Sequence, residues 1–248
     1  VTTTRLLTRT AIRELVRSRA YRLGFATISL FFVAIIDVIG VLLWLGPSLH
    51  GLIDRAAVAT ALSTIVYVTV VLLAGLSLNI SSAQPLIRAK ASGSIESLLA
   101  TPATAQDIWI ARSLAASIPG ILAGLVGGVI TLIVLNLVYV VPRGLSLIVP
   151  AWTLVSSFVL LPTIFLLLGF VIHLVGLPGN PISGNVIAQI FVPAYASLSI
   201  NLAVRNVLSP ARVDIALVEF GMILVLAVLA SALRGRVTKE RIILSCKR

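Results

Sequence analysis

Two carboxylates, Asp37 and Glu219, stand inside long apolar stretches of this 248-residue chain. An ionised acid facing lipid near a bilayer centre costs about 2.5 kcal/mol or more, so each must find a partner, water or a proton. At a rise of 1.5 Å per residue, Asp37 lies about 12 Å from the outer end of the first apolar stretch and Glu219 about 8 Å into the last from the same side. At such depths they could line an outer vestibule of a translocation pathway or bind a cation; protonation, or hydrogen bonding to neighbouring Ser, Thr or Asn, is the structural alternative.

Other reactive chemistry is sparse. A phosphate-cradling G-x-x-x-x-G-K-[ST] loop needs a lysine followed by Ser or Thr, but Lys90, Lys239 and Lys247 precede Ala91, Glu240 and Arg248. The chain is therefore expected to hold no nucleotide and no cofactor of its own. His50 and His173 fall on opposite predicted sides of a membrane, which argues against a zinc centre, so no metal site is expected and each histidine is assigned a hydrogen-bonding role. Ser92-Gly93-Ser94 is faintly similar to an intramembrane serine protease segment but has no matching histidine. With no paired carboxylates and no nucleophile beside a base, no enzymatic activity is expected.

The elements that must position these residues follow from composition. With 59% hydrophobic residues, 11% charged and a mean hydropathy of +1.13, the chain cannot assemble a water-soluble surface. A formal charge of +11 would suggest nucleic acid in a soluble protein; here the bases sit at the chain ends and beside apolar runs, where they act as topology signals and contacts to anionic membrane lipids, so nucleic acid is not an expected partner. The single cysteine, Cys246, excludes an intrachain disulfide framework.

A helix needs about 20 apolar residues to cross a bilayer. Six stretches qualify: Leu23 to Leu45, Ala56 to Ile80, Ile108 to Leu135, Pro150 to Val175, Val186 to Val204 and Asp214 to Leu233. The first, lacking a small-residue cleavage site, is read as a retained span rather than a signal peptide. The fifth holds Pro193, Gln189, Ser197, Ser199 and Asn201, so a broken or re-entrant helix is an alternative there. Pro119, Pro162 and Pro193 mark possible kinks. Ala116, Gly120, Gly124 and Gly128 recur every fourth residue, which permits close helix packing, within the chain or against another.

Arginine and lysine set the orientation. They crowd the segment before the first span, the loop after the second and the tail, while the alternate loops hold only Arg55, Arg143, Arg205 and Arg212. The positive-inside rule then places both termini in the cytoplasm of a multi-pass plasma-membrane protein. Residues 1–22 form an expected interfacial amphipathic helix, with Arg5, Arg9, Arg13 and Arg17 in an i+4 stripe opposite Leu7, Ala11 and Leu15. Residues 23–233 form a six-span, all-α transmembrane domain containing a cytoplasmic loop at 81–107, and residues 234–248 form a basic cytoplasmic tail.

That loop is the most informative segment. Ser92, Gly93 and Ser94 signal a helix start, Glu96 suits its first turn, Ile95, Leu98 and Leu99 make an apolar edge, and Pro102 ends it. Thr104 followed by Asp107 predicts a capping box opening the third span. The run Gly93, Glu96, Leu98, Leu99, Thr101 and Pro102 resembles the first cytoplasmic loop of ABC-2 family ABC-transporter permeases, close to Glu-x-Gly-Thr-Leu-Glu-x-Leu-Leu-x-Thr-Pro; Ser94 and Ile95 replace Thr and Leu, and the usual upstream acid is missing, Lys90 and Ala91 standing there. The resemblance implies that this short cytoplasmic coupling helix docks on a separate ATP-binding cassette subunit, which binds ATP and Mg, and that a second permease copy or a homologous permease completes the transporter. It further implies an exporter; with aromatic residues at only 6%, a hydrophobic small molecule, drug or lipid suits it better than polysaccharide. The competing reading is a secondary transporter or ion channel using Asp37 and Glu219.

Overall fold

A computed structural model describes residues 2–17, 19–49, 54–91, 93–179 and 181–246; the side chains of some helical residues, Glu96 among them, lie outside that description. The chain is 87% helix, with no strand among the described residues. Among the described residues six helices are long and apolar enough to cross a membrane: Phe25–Ser48, Arg55–Ser82, Ala105–Arg143, Ala151–Gly176, Val186–Val204 and Val213–Leu233, the first to sixth long helices below. Such a chain fits a multi-pass membrane protein, because only a helix satisfies its own backbone in hydrocarbon without strand partners.

Helix ends depart from the apolar boundaries for local reasons. The second long helix belongs to one that continues to Ala91, past the expected Ile80, because Leu86 and Ala89 keep an inward edge buried after the sequence turns polar. The third begins at Ala105, where Thr104 accepts from the Asp107 amide and the Asp107 side chain accepts from the Thr104 amide, the reciprocal pair of a capping box. The fifth belongs to a single helix, Pro181–Val204, that carries Pro193 within it and is not broken. Three π turns, Val41–Leu45, Asn136–Val140 and Ser156–Leu160, each end two residues before a proline, Pro47, Pro142 and Pro162. A proline has no N–H for the preceding turn and its ring crowds that turn's carbonyl, so a widened turn is the local answer.

The second long helix is the central post: 72% of its apolar window is buried, against 22% for the first and 28% for the sixth. The third lies directly against it. A Cβ built on Gly120 would fall 2.7 Å from Ser77 Cβ, one on Gly124 3.2 Å from the Val70 carbonyl oxygen, and one on Gly128 2.6 Å from Val70 Cγ2. The glycine row thus faces the chain's own second helix, and hydrogen at Cα lets the two backbones approach. Leu30, Phe31, Leu42 and Leu43 of the first helix and Leu217, Phe220, Val225 and Val228 of the sixth remain exposed, an outward apolar surface suited to lipid.

Candidate functional site

The loop after the second long helix turns at Gly93, whose φ of 69° lies in the left-handed region that glycine adopts without a Cβ clash. A short helix, Ser94–Leu99, follows. Its inner edge is Ile95, fully buried, and Leu99, 7% exposed; both join Leu86, Leu174, Leu177 and Ile242 in one apolar cluster. Leu98 is half-buried and packs against the same cluster, while Ser97 is exposed. Glu96 belongs to this helix by its backbone, but its side chain lies outside the described residues. Thr101 and Pro102 are exposed beyond the helix end, where the Thr101 hydroxyl donates to the Leu98 carbonyl.

The surroundings of this helix come from distant parts of the chain. A cavity of about 210 Å³ separates it from the N-terminal helix Thr2–Arg17 and from the start of the third long helix, lined by Leu7, Thr10, Ser94, Ser97, Leu98 and Arg112 among others. Thr4 of the N-terminal helix donates to Asp107 Oδ1. On that helix Arg5, Arg9, Arg13 and Arg17 are exposed, Ala11 is buried and Leu7 packs on the apolar cluster. The tail helix Lys239–Cys246 closes the other side. There Lys239 Nζ donates to the Leu99 carbonyl at 3.3 Å, and Ile242 is fully buried. Lys90 Nζ donates to the Gly179 carbonyl at 2.6 Å and to Ser245 Oγ at 2.8 Å. Ser245 shares its proton between the Ile242 carbonyl of its own helix at 2.7 Å and the Leu177 carbonyl at 3.1 Å, and through Lys90 the end of the second helix, the loop after the fourth and the tail are held together.

Asp37 and Glu219 have separate partners. Thr131, fully buried on the third long helix, donates to Asp37 Oδ1 at 2.9 Å, and Asp37 itself is half-buried. Glu219 is 2% exposed and accepts from Ser156 Oγ at 2.6 Å. His173 is buried, with Nδ1 2.9 Å from the Gly169 carbonyl on its own helix; His50 lies outside the described residues. Sequence reasoning passed over Asn136, which is 2% exposed, donates to the Leu132 and Ile148 carbonyls and accepts from the Ile148 amide at 2.8 Å. Its only sequence signal is an amide side chain at the end of an apolar run. It also passed over Trp109, whose indole N–H donates to the Phe170 carbonyl at 3.0 Å and joins the third and fourth helices.

Against protein-family models, curated proteins and solved structures, the chain finds no match.

Proposed function

We propose that this chain is the permease subunit of an ABC exporter, with cytoplasmic termini in the plasma membrane, that moves a hydrophobic small molecule, drug or lipid. On this reading it has no ATPase site of its own. Two permease units pair, and each receives an ATP-binding cassette subunit that holds ATP and Mg. The supporting observation is the two-sided Ser94–Leu99 helix: Ile95 and Leu99 root it in the chain's own core, while exposed Ser97 and Leu98, only half-buried against that core, leave an edge for a partner. Force applied to that edge reaches the second and third long helices through the Gly93 turn and the Thr104 cap, and reaches the tail through Lys239. In this scheme the N-terminal helix lies along the inner leaflet with its arginines toward anionic headgroups.

The test is copurification. The chain should bring down an ATPase, and ATP hydrolysis should drive export in proteoliposomes; Leu98→Asp should release the ATPase while leaving the permease folded. Full transport by the purified chain alone, or labelling that puts either terminus outside, refutes the assignment. The hydrogen bond from Thr131 to Asp37 is the one the structural alternative expects, whereas the unpaired Oε1 of Glu219 favours one competitor, an ion-coupled transporter or channel, which predicts that same partner-free transport and its loss in Asp37→Asn.

A further inference from the structure

Glu219 has one satisfied oxygen and one that is not. Ser156 of the fourth long helix donates to Oε2, whereas Oε1 is buried without a hydrogen-bond partner. Beside it stand the hydroxyls of Tyr67 on the second helix and Tyr195 on the fifth, both buried and neither in a hydrogen bond of good geometry. Tyr67 as a residue is fully buried, and its hydroxyl interacts with Tyr195, Ser199 and Glu219. Ser199 gives its own proton to the Ala196 carbonyl at 3.2 Å, so only lone pairs remain on the side facing Tyr67. Oxygens from the second, fifth and sixth helices thus converge in the bundle interior, and the fourth fixes the carboxylate.

Their chemistry selects the ligand. Every converging atom is an oxygen, the donor preferred by hard cations. Among the described residues Glu219 supplies the only carboxylate there, no basic side chain pairs with it and no cluster of His, Cys, Asp and Glu builds a multi-acid site. A monovalent ion neutralises one carboxylate; a divalent ion would leave a net positive charge in a low-dielectric interior, where an uncompensated charge is heavily penalised. The tyrosine hydroxyls can turn protons toward Oε1 and toward each other, but only a cation or a proton neutralises the buried carboxylate.

We propose that Glu219 Oε1 and the hydroxyl oxygens of Tyr67, Tyr195 and Ser199 form an intramembrane site for one dehydrated sodium ion, with potassium as a competitor. The bound ion ties the second, fifth and sixth long helices together, so occupancy sets how firmly this half of the bundle is closed. The site rests on the packing of this chain and not on the ABC assignment, and its test uses no partner subunit.

The test uses the full purified chain in detergent, with sodium chloride exchanged for choline chloride at constant ionic strength. Radioactive sodium should be retained saturably, and the unfolding temperature should climb with the logarithm of sodium concentration, as for a ligand that binds the folded state alone. Glu219→Gln should abolish both responses, Tyr67→Phe should raise the half-saturating sodium concentration about tenfold, and Glu240→Gln, on the exposed tail helix, should change neither. Should Glu219→Gln fail to fold, Tyr67→Phe, which removes only a hydroxyl, decides. The proposal is overturned by no retained sodium in the native chain, by an unchanged sodium response in Tyr67→Phe, or by stability that follows pH and ignores sodium, the signature of a carboxyl simply kept protonated.

Discussion

Replacing the glycines of the third and sixth long helices one at a time by alanine sets two effects of known sign against each other. Alanine in a helix interior gains about 0.5–1 kcal/mol over glycine by restricting the unfolded chain. Overpacking a tight contact costs about 1–3 kcal/mol. At Gly120 the new methyl would stand 2.7 Å from Ser77 Cβ and 2.8 Å from its Oγ, with the Ala74 carbonyl oxygen at 3.2 Å, so the helices must part by several tenths of an ångström. Short side chain and backbone cannot swing away, and Gly120→Ala should lose about 1–2 kcal/mol net. At Gly124 the nearest atoms are the Val70 carbonyl oxygen at 3.2 Å and Ala74 Cβ at 3.3 Å, tighter than ordinary contact but far less so than at Gly120, and the two effects should nearly cancel. At Gly221 nothing lies within 4 Å, so Gly221→Ala should keep the whole propensity gain. Denaturant or thermal unfolding in one detergent should rank the variants Gly221→Ala above Gly124→Ala above Gly120→Ala. The reasoning fails if Gly120→Ala is as stable as the native chain, or if it changes the oligomeric state and leaves subunit stability alone, since either result would detach the glycine row from the second helix.

Ile95→Ala should cost about 2–5 kcal/mol, because its side chain is fully buried; amide exchange in Ser94–Leu99 should accelerate, while Leu98→Ala, on the half-open edge, should leave exchange there nearly unchanged. Lys90→Met strands the Gly179 carbonyl and should lower stability by about 1–3 kcal/mol, seen as faster proteolysis of the tail beyond Val237. Asn136→Ala leaves the Ile148 amide and carbonyl unpaired at a buried position and should cost about 1–3 kcal/mol, measured by chemical unfolding and cross-checked by exchange of the Ile148 amide.

What the sequence discloses and what it hides divide along the range of the interactions. The six long helices are legible because hydropathy over about 20 residues is a local sum. The cap at Thr104 is legible for the same reason, its partner Asp107 being three residues away. The second helix's run to Ala91 is not, because hydropathy marks where a chain leaves hydrocarbon and not where its hydrogen bonding stops. The polar ties are less legible still: Lys90 meets Ser245 across 155 residues of chain and Ser156 meets Glu219 across 63, so no window holds both partners. Leu98 and Leu99 make the same point within one helix. Identical side chains at neighbouring positions both fit an apolar edge by spacing and both pack on the cluster shared with Ile242 of the tail, yet only Leu99 is buried in it while Leu98 stays half-buried. Which leucine is anchor and which is open edge depends on the tail helix folding back over the loop, a contact written more than a hundred residues later. Any partner that pushes on Leu98 therefore pushes, through Leu99 and Lys239, on the tail as well. Shortening the chain before Lys239 should accordingly loosen the Ser94–Leu99 helix even though no residue of that helix has changed.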